Sequence, residues 1–113
     1  MDPSHNHLTA EFAGVPDEQL RDAALLGGLL IAAASAGGFR TLGVPTVKAH
    51  VGGGVSAVLL LDGAHLALHA FPARQTLLFD AVAPVSHDFR KVLDVLARRL
   101  SARDITSDTR ARG

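Results

Sequence analysis

Apolar and polar residues alternate from Asn6 to Ala13, with Leu8, Ala10 and Phe12 on one side and His7, Thr9 and Glu11 on the other. A period of two is that of a half-buried strand. Val15-Pro16-Asp17 breaks the pattern, and Asp17 can cap a helix whose first turn also holds Glu18, an anion where the helix dipole favours one. That helix is predicted to run to about Ala36 and to stop at Gly37-Gly38. Gly27-Gly28 in its middle cost about 1 kcal/mol each relative to Ala. Close packing on a sheet offsets that cost, with a kink as the alternative.

Phe39 to Val51 reads as an interrupted strand, because Gly43 and Pro45 imply an edge or a bulge. Gly52-Gly53-Gly54 is either a flexible turn or a place where backbone approaches something closely. Val55 to Leu61 is apolar on both faces apart from Ser56, the pattern of a central strand. Asp62-Gly63 is the strongest hairpin dipeptide in the chain. Ala64 to Phe71 alternates again, with Leu66, Leu68 and Ala70 opposite His65, Ala67 and His69, and Pro72 ends it. Gln75 to Val82 forms another strand, with Leu77, Phe79 and Ala81 on one face. Ser86 then caps a second helix with Asp88 in its first turn, Arg98, Arg99 and Arg103 at its end, and a stripe of Phe89, Val92, Leu93, Leu96 and Leu100. A short strand from Asp104 to Thr109 closes the pattern.

This order predicts an α+β fold: a two-layer sandwich in which a mostly antiparallel sheet carries both helices on one face. The chain reads as a single domain over 1–113, with 1–5 and 110–113 as loose tails. The second sheet face, onto which His65 and His69 project, is left uncovered. A homodimer packing sheet against sheet would cover it.

Composition narrows the function classes. At 113 residues with 48% hydrophobic content, the chain can bury a core without staples. Eleven Lys plus Arg balance eleven Asp plus Glu, and no basic face for nucleic acid is evident. The absence of cysteine excludes disulfides, thiolate metal sites and cysteine nucleophiles, and fits a reducing cytoplasm. Ala23 to Phe39 carries no charge, but it is mostly Ala, Gly and Ser and reads as a buried core helix, so no membrane span is expected. The N-terminal residues lack the apolar run of a signal peptide.

His65 and His69 share a strand face about 13 Å apart, too far for one metal, and no third ligand is obvious. Their plain reading is two hydrogen-bonded histidines at an interface. His5 and His7 read as solvated beside the N-terminal tail. His50 and Lys48, next to the glycine triplet, could face a ligand or simply sit exposed on an edge strand. Ser56 lies in an apolar strand with nothing in the pattern to place a base beside it.

The runs His7-Leu8-Thr9-Ala10-Glu11-Phe12, Gly54-Val55-Ser56-Ala57-Val58 and His65-Leu66-Ala67-Leu68-His69-Ala70-Phe71-Pro72 resemble, in order and spacing, the short prokaryotic S-adenosylmethionine decarboxylases. In that family the runs read close to H-L-x-A-E-F, G-V-S-G-V and E-S-H-L-S-I-H-T-W-P-E. The resemblance covers the chain from about His7 to Arg112. It implies a dimeric two-layer sandwich that makes a pyruvoyl cofactor from an internal serine and decarboxylates S-adenosylmethionine for polyamine (spermidine) biosynthesis.

The chain departs from that pattern where the chemistry sits. The self-cleaving serine falls at Ala64 and the Glu before it at Gly63. The family's catalytic cysteine falls at Pro84, and the nucleoside-holding carboxylate at Ala73, after Phe71 in place of tryptophan. His69, the processing histidine, and Ser56, which assists it, are kept. The resemblance therefore implies a lyase relative with no pyruvoyl cofactor: a non-catalytic binding or regulatory pseudoenzyme. It would pair with itself or with an active homologue and hold a small nucleoside or amine near His50, His65 and Phe71. The alternative is an enzyme of the same fold with redirected chemistry at His69 or Lys48.

Overall fold

The computed structural model describes residues 2–113. In chain order the elements are β1 (His5–Ala13), α1 (Asp17–Leu20), α2 (Ala23–Ala36), β2 (Thr46–Ala49), β3 (Val55–Leu61), β4 (Ala64–Phe71), β5 (Thr76–Pro84), α3 (Arg90–Arg99) and β6 (Asp104–Arg112), with a short 3-10 turn at Pro72–Arg74. The strands form one sheet in the order β2-β3-β4-β5-β1-β6, antiparallel at every pairing. The helices cover one face, as an antiparallel sheet allows. The α+β two-layer sandwich predicted from the periodicities is the fold observed.

One core holds the layers together. Leu8, Phe12, Leu59, Leu66, Leu68 and Leu77 from the sheet are shut off from solvent, as are Leu26, Leu30, Val92 and Leu96 from the helices. Leu26, Leu29, Leu30, Ala33 and Ala34 recur at helical spacing, so α2 buries a continuous stripe although its outer face is largely Ala and Gly. Gly27 accounts for the close approach. A β-carbon there would lie 3.0 Å from Val47 Cγ2, so α2 rests directly on β2. Gly28 faces open space and has no such role. No helix is long and apolar enough to cross a membrane among the described residues.

Several boundaries differ from the sequence reading. The predicted helix from Asp17 is two helices, because Asp22 accepts a hydrogen bond from the Leu25 amide and starts α2 afresh. Asp17 instead pairs with Arg21. α3 is not capped by Ser86. Asp88 Oδ1 accepts the Arg90 amide at 2.8 Å and Oδ2 accepts its guanidinium. Those bonds hold the exposed Asp88 carboxyl below its usual pKa, the Arg90 side-chain bond contributing most and its backbone bond next. β3 buries one face only, and Leu60 on the other is 63% exposed, because the second layer exists on one side.

The ends also depart from expectation. Met1 lies outside the described residues, but Ser4 donates its amide to Arg112 O and His5 begins β1. Residues 110–112, expected to be loose, complete β6, which pairs with β1 in an unbroken register from His5–Arg112 to Ala13–Asp104. β6 is thus nine residues long, and every one is exposed.

Candidate functional site on the open sheet face

The face opposite the helices carries the polar half of each alternating strand. Strand register, not sequence proximity, decides which residues meet there. Ser56 of β3 lies opposite His69 of β4, and Lys48 of β2 lies opposite Ser56 on the other side. The Ser56 hydroxyl shares a 2.6 Å hydrogen bond with His69 Nδ1. Phe71, two residues further along β4, lies between two imidazoles, with ring centroids 5.4 Å from His50 and 6.4 Å from His69.

Backbone packing fixes this cluster. His50 places Nε2 2.8 Å from the Ala70 carbonyl and Nδ1 3.1 Å from the Val51 carbonyl. Gly52 and Gly53 turn the chain with φ of 96° and 87°, and Arg21 Nη1 reaches Gly52 O at 3.3 Å. Gly54 is needed for closeness: a β-carbon there would run into the Ala70 carbonyl and lie 2.7 Å from His50 Cε1 and 2.8 Å from Pro72 Cδ. The triplet is therefore a turn at its start and a close approach at its end.

A second cluster was not visible in the sequence. His7 Nε2 and His65 Nε2 both contact Asp80 Oδ2, at 3.1 and 3.2 Å. A carboxylate only accepts, so each ring carries its hydrogen on Nε2. Arg112 Nη2 lies 3.5 Å from His7 Nδ1. His7 is therefore part of the face and not a solvated tail residue. Asp80 could have been suspected only from its polar place in β5, since the contacts depend on both neighbouring strands. His65 and His69 belong to different clusters, as their strand spacing requires.

Between the clusters lies a groove of about 440 Å³ along β4, β5, β1 and β6. Its floor includes Ala67 and Leu78, and Glu11, Asp80, Asp108 and His69 stand along it. Asp80 is engaged by two histidines and Asp108 by Arg110 at 3.4 Å. Glu11 has no ion-pair partner among the described residues, which leaves the groove with an uncompensated negative charge.

Ala64 and Pro84 lie elsewhere. Ala64 follows the two-residue Asp62-Gly63 turn, where Gly63 has φ of 68°, and its methyl packs partly buried against the core. Pro84 ends β5 opposite His5, at the same end of the sheet. Ala64 and His69 are five positions apart along β4, about 16 Å. Within one protomer the structure does not bring Ala64 and Pro84 to the Ser56–His69 pair. Ala73 is exposed in the turn after Phe71, with no carboxylate to offer.

The S-adenosylmethionine decarboxylase sequence family matches residues 6–113. The chain belongs to that family. The crystal structure of the adenosylmethionine decarboxylase from Aquifex aeolicus VF5 superposes with a TM-score of 0.88 at 18% identity, covering 100% of this chain and 93% of that one. The shared S-adenosylmethionine decarboxylase fold thus persists where most side chains differ. No curated protein sequence matches the chain.

Proposed function

We propose that this chain is an S-adenosylmethionine decarboxylase relative that makes no pyruvoyl group and acts as a binding or regulatory protein. Ala64 carries the reading. The residue that would have to supply the carbonyl is a methyl packed against the core, with no oxygen to attack a peptide bond or to be eliminated. The residues present therefore do not fit the cofactor. Ser56 and His69 remain as a hydrogen-bonded pair, about 16 Å along β4 from Ala64 of their own protomer.

The groove supports a cationic ligand, an amine or a sulfonium nucleoside. Glu11 offers an unpaired carboxylate, Ala67 and Leu78 an apolar floor, and Phe71 with His50 a pair of rings at the edge of the face. The open face also suits association. Leu60, Leu78 and Phe71 are 63%, 38% and 36% exposed on it. Packing two such faces about a two-fold axis that runs across the strands would bring the Ala64 end of one chain toward the Ser56–His69 end of the other. An active homologue in place of the second copy would receive that pair in the same way.

Calorimetric titration with S-adenosylmethionine and with spermidine, alongside carbon dioxide capture, tests this reading. Heat of binding without gas release is expected, and Glu11→Gln should weaken binding about tenfold, or ~1.4 kcal/mol. Stoichiometric, repeated carbon dioxide release would overturn it in favour of redirected chemistry at His69 or Lys48.

A further inference from the structure

The outer edge of β6 is the longest unpaired strand edge in the fold. β6 pairs with β1 on one side over nine consecutive residues without a bulge, and nothing lies on its other side among the described residues. Free edges are normally blunted by charged side chains, Pro, bulges or short length. β6 has only the first of these, four charges among nine residues. The opposite edge, β2, is four residues long.

The charges on β6 are ordered and not scattered. Asp104 and Asp108 precede Arg110 and Arg112, all in alternate positions and therefore on one face. An antiparallel copy of the same strand meets this order in reverse, so acids can face arginines. We propose that β6 pairs with β6 of a second copy of this chain about a two-fold axis at Thr109. This joins two six-stranded sheets into one.

The register follows from charge and chain path. With Thr109 on the axis, Asp108 of each copy lies opposite Arg110 of the other, and Thr106 lies opposite Arg112. Opposite charges across a ladder are favourable and like charges are not. Centring the pairing on Asp108 instead would place two carboxylates face to face. Centring it on Ser107 would run the partner's last residues beside 101–103, where the chain leaves the sheet. The zero net charge of the chain leaves no long-range repulsion between copies. This edge contact is separate from packing of the open faces and does not depend on the function proposed above.

Single cysteines introduced into the cysteine-free chain test it. Thr109→Cys should give most of the protein as a disulfide-linked dimer under mild oxidation, because the axis holds the two Cα atoms within disulfide range. Ser107→Cys should give less than a tenth as much, since its copies lie about 13 Å apart along the strands. Both side chains are exposed, so neither variant should disturb the monomer. In the Thr109→Cys background, Asp108→Arg should reduce the linked dimer at least fivefold, and adding Arg110→Asp should restore it. Monomer at every concentration, equal linking at both positions, preferential linking at Ser107, or no rescue by the charge swap would overturn the proposal.

Discussion

The two ends of the β3–β4 hairpin are built on opposite terms. At the Gly54 end, backbone and side chains are mutually constrained: Gly54 lies against the Ala70 carbonyl, His50 contacts that same carbonyl, and Ser56 meets His69 at 2.6 Å. At the other end a β-carbon on Gly63 would meet nothing within 4 Å, and Ala64 contributes only a methyl to the core. On the function proposed above, the difference teaches that a scaffold can keep the Ser56–His69 pair in place at one end of a hairpin while the other end offers no hydroxyl. Fold and family membership are therefore no measure of the chemistry left at the hairpin turn.

Glycine substitutions should separate the two ends most sharply. Gly54→Ala drives a methyl into a backbone carbonyl and should cost about 3 kcal/mol or more, read as a lower urea midpoint at unchanged slope. Gly63→Ala meets no neighbour and bears only the positive-φ penalty, about 1–2 kcal/mol. Equal losses at the two positions would break the comparison. His69→Ala, which removes a partner from an exposed hydrogen bond, should cost about 1 kcal/mol or less by the same denaturation.

Ala64→Ser sharpens the contrast in another way. It restores a hydroxyl, but on the core side of β4 and not on the open face that carries His69, with Gly63 and Pro84 unchanged. Its mass should stay that of the full chain plus one oxygen over days at neutral pH. The smallest effect is expected at α3. The Asp88 carboxyl titrates lower in the folded chain than in the unfolded one, so its bonds to Arg90 stabilise the fold above the ordinary carboxylate range. That contribution fades as pH falls through the lowered value, so Asp88→Asn should lower stability slightly at neutral pH, with the difference from the unsubstituted chain disappearing in acid.

Strands whose side chains alternate cleanly were legible from the residues alone. β1, β4 and β5 sort into buried and exposed halves because a helix layer covers one face of each. The start of α2 was not legible, since Asp17 and Asp22 are equally good caps and only the Leu25 amide shows which one is used. The length of β6 was missed because every residue in it is exposed, which leaves no apolar period to read. The Ser56–His69 pair could be suspected from a family resemblance, whereas the His7–Asp80–His65 cluster required the register of three strands. Periodicity reports which face a residue takes, but not which strand lies beside it.

Intact mass spectrometry of the purified protein, with a carbonyl-trapping hydrazine added before analysis, addresses the missing hydroxyl most directly. One unmodified polypeptide of the full 11.8 kDa chain is the expected spectrum. Two fragments divided between Gly63 and Ala64, the second carrying one hydrazone, would contradict the account.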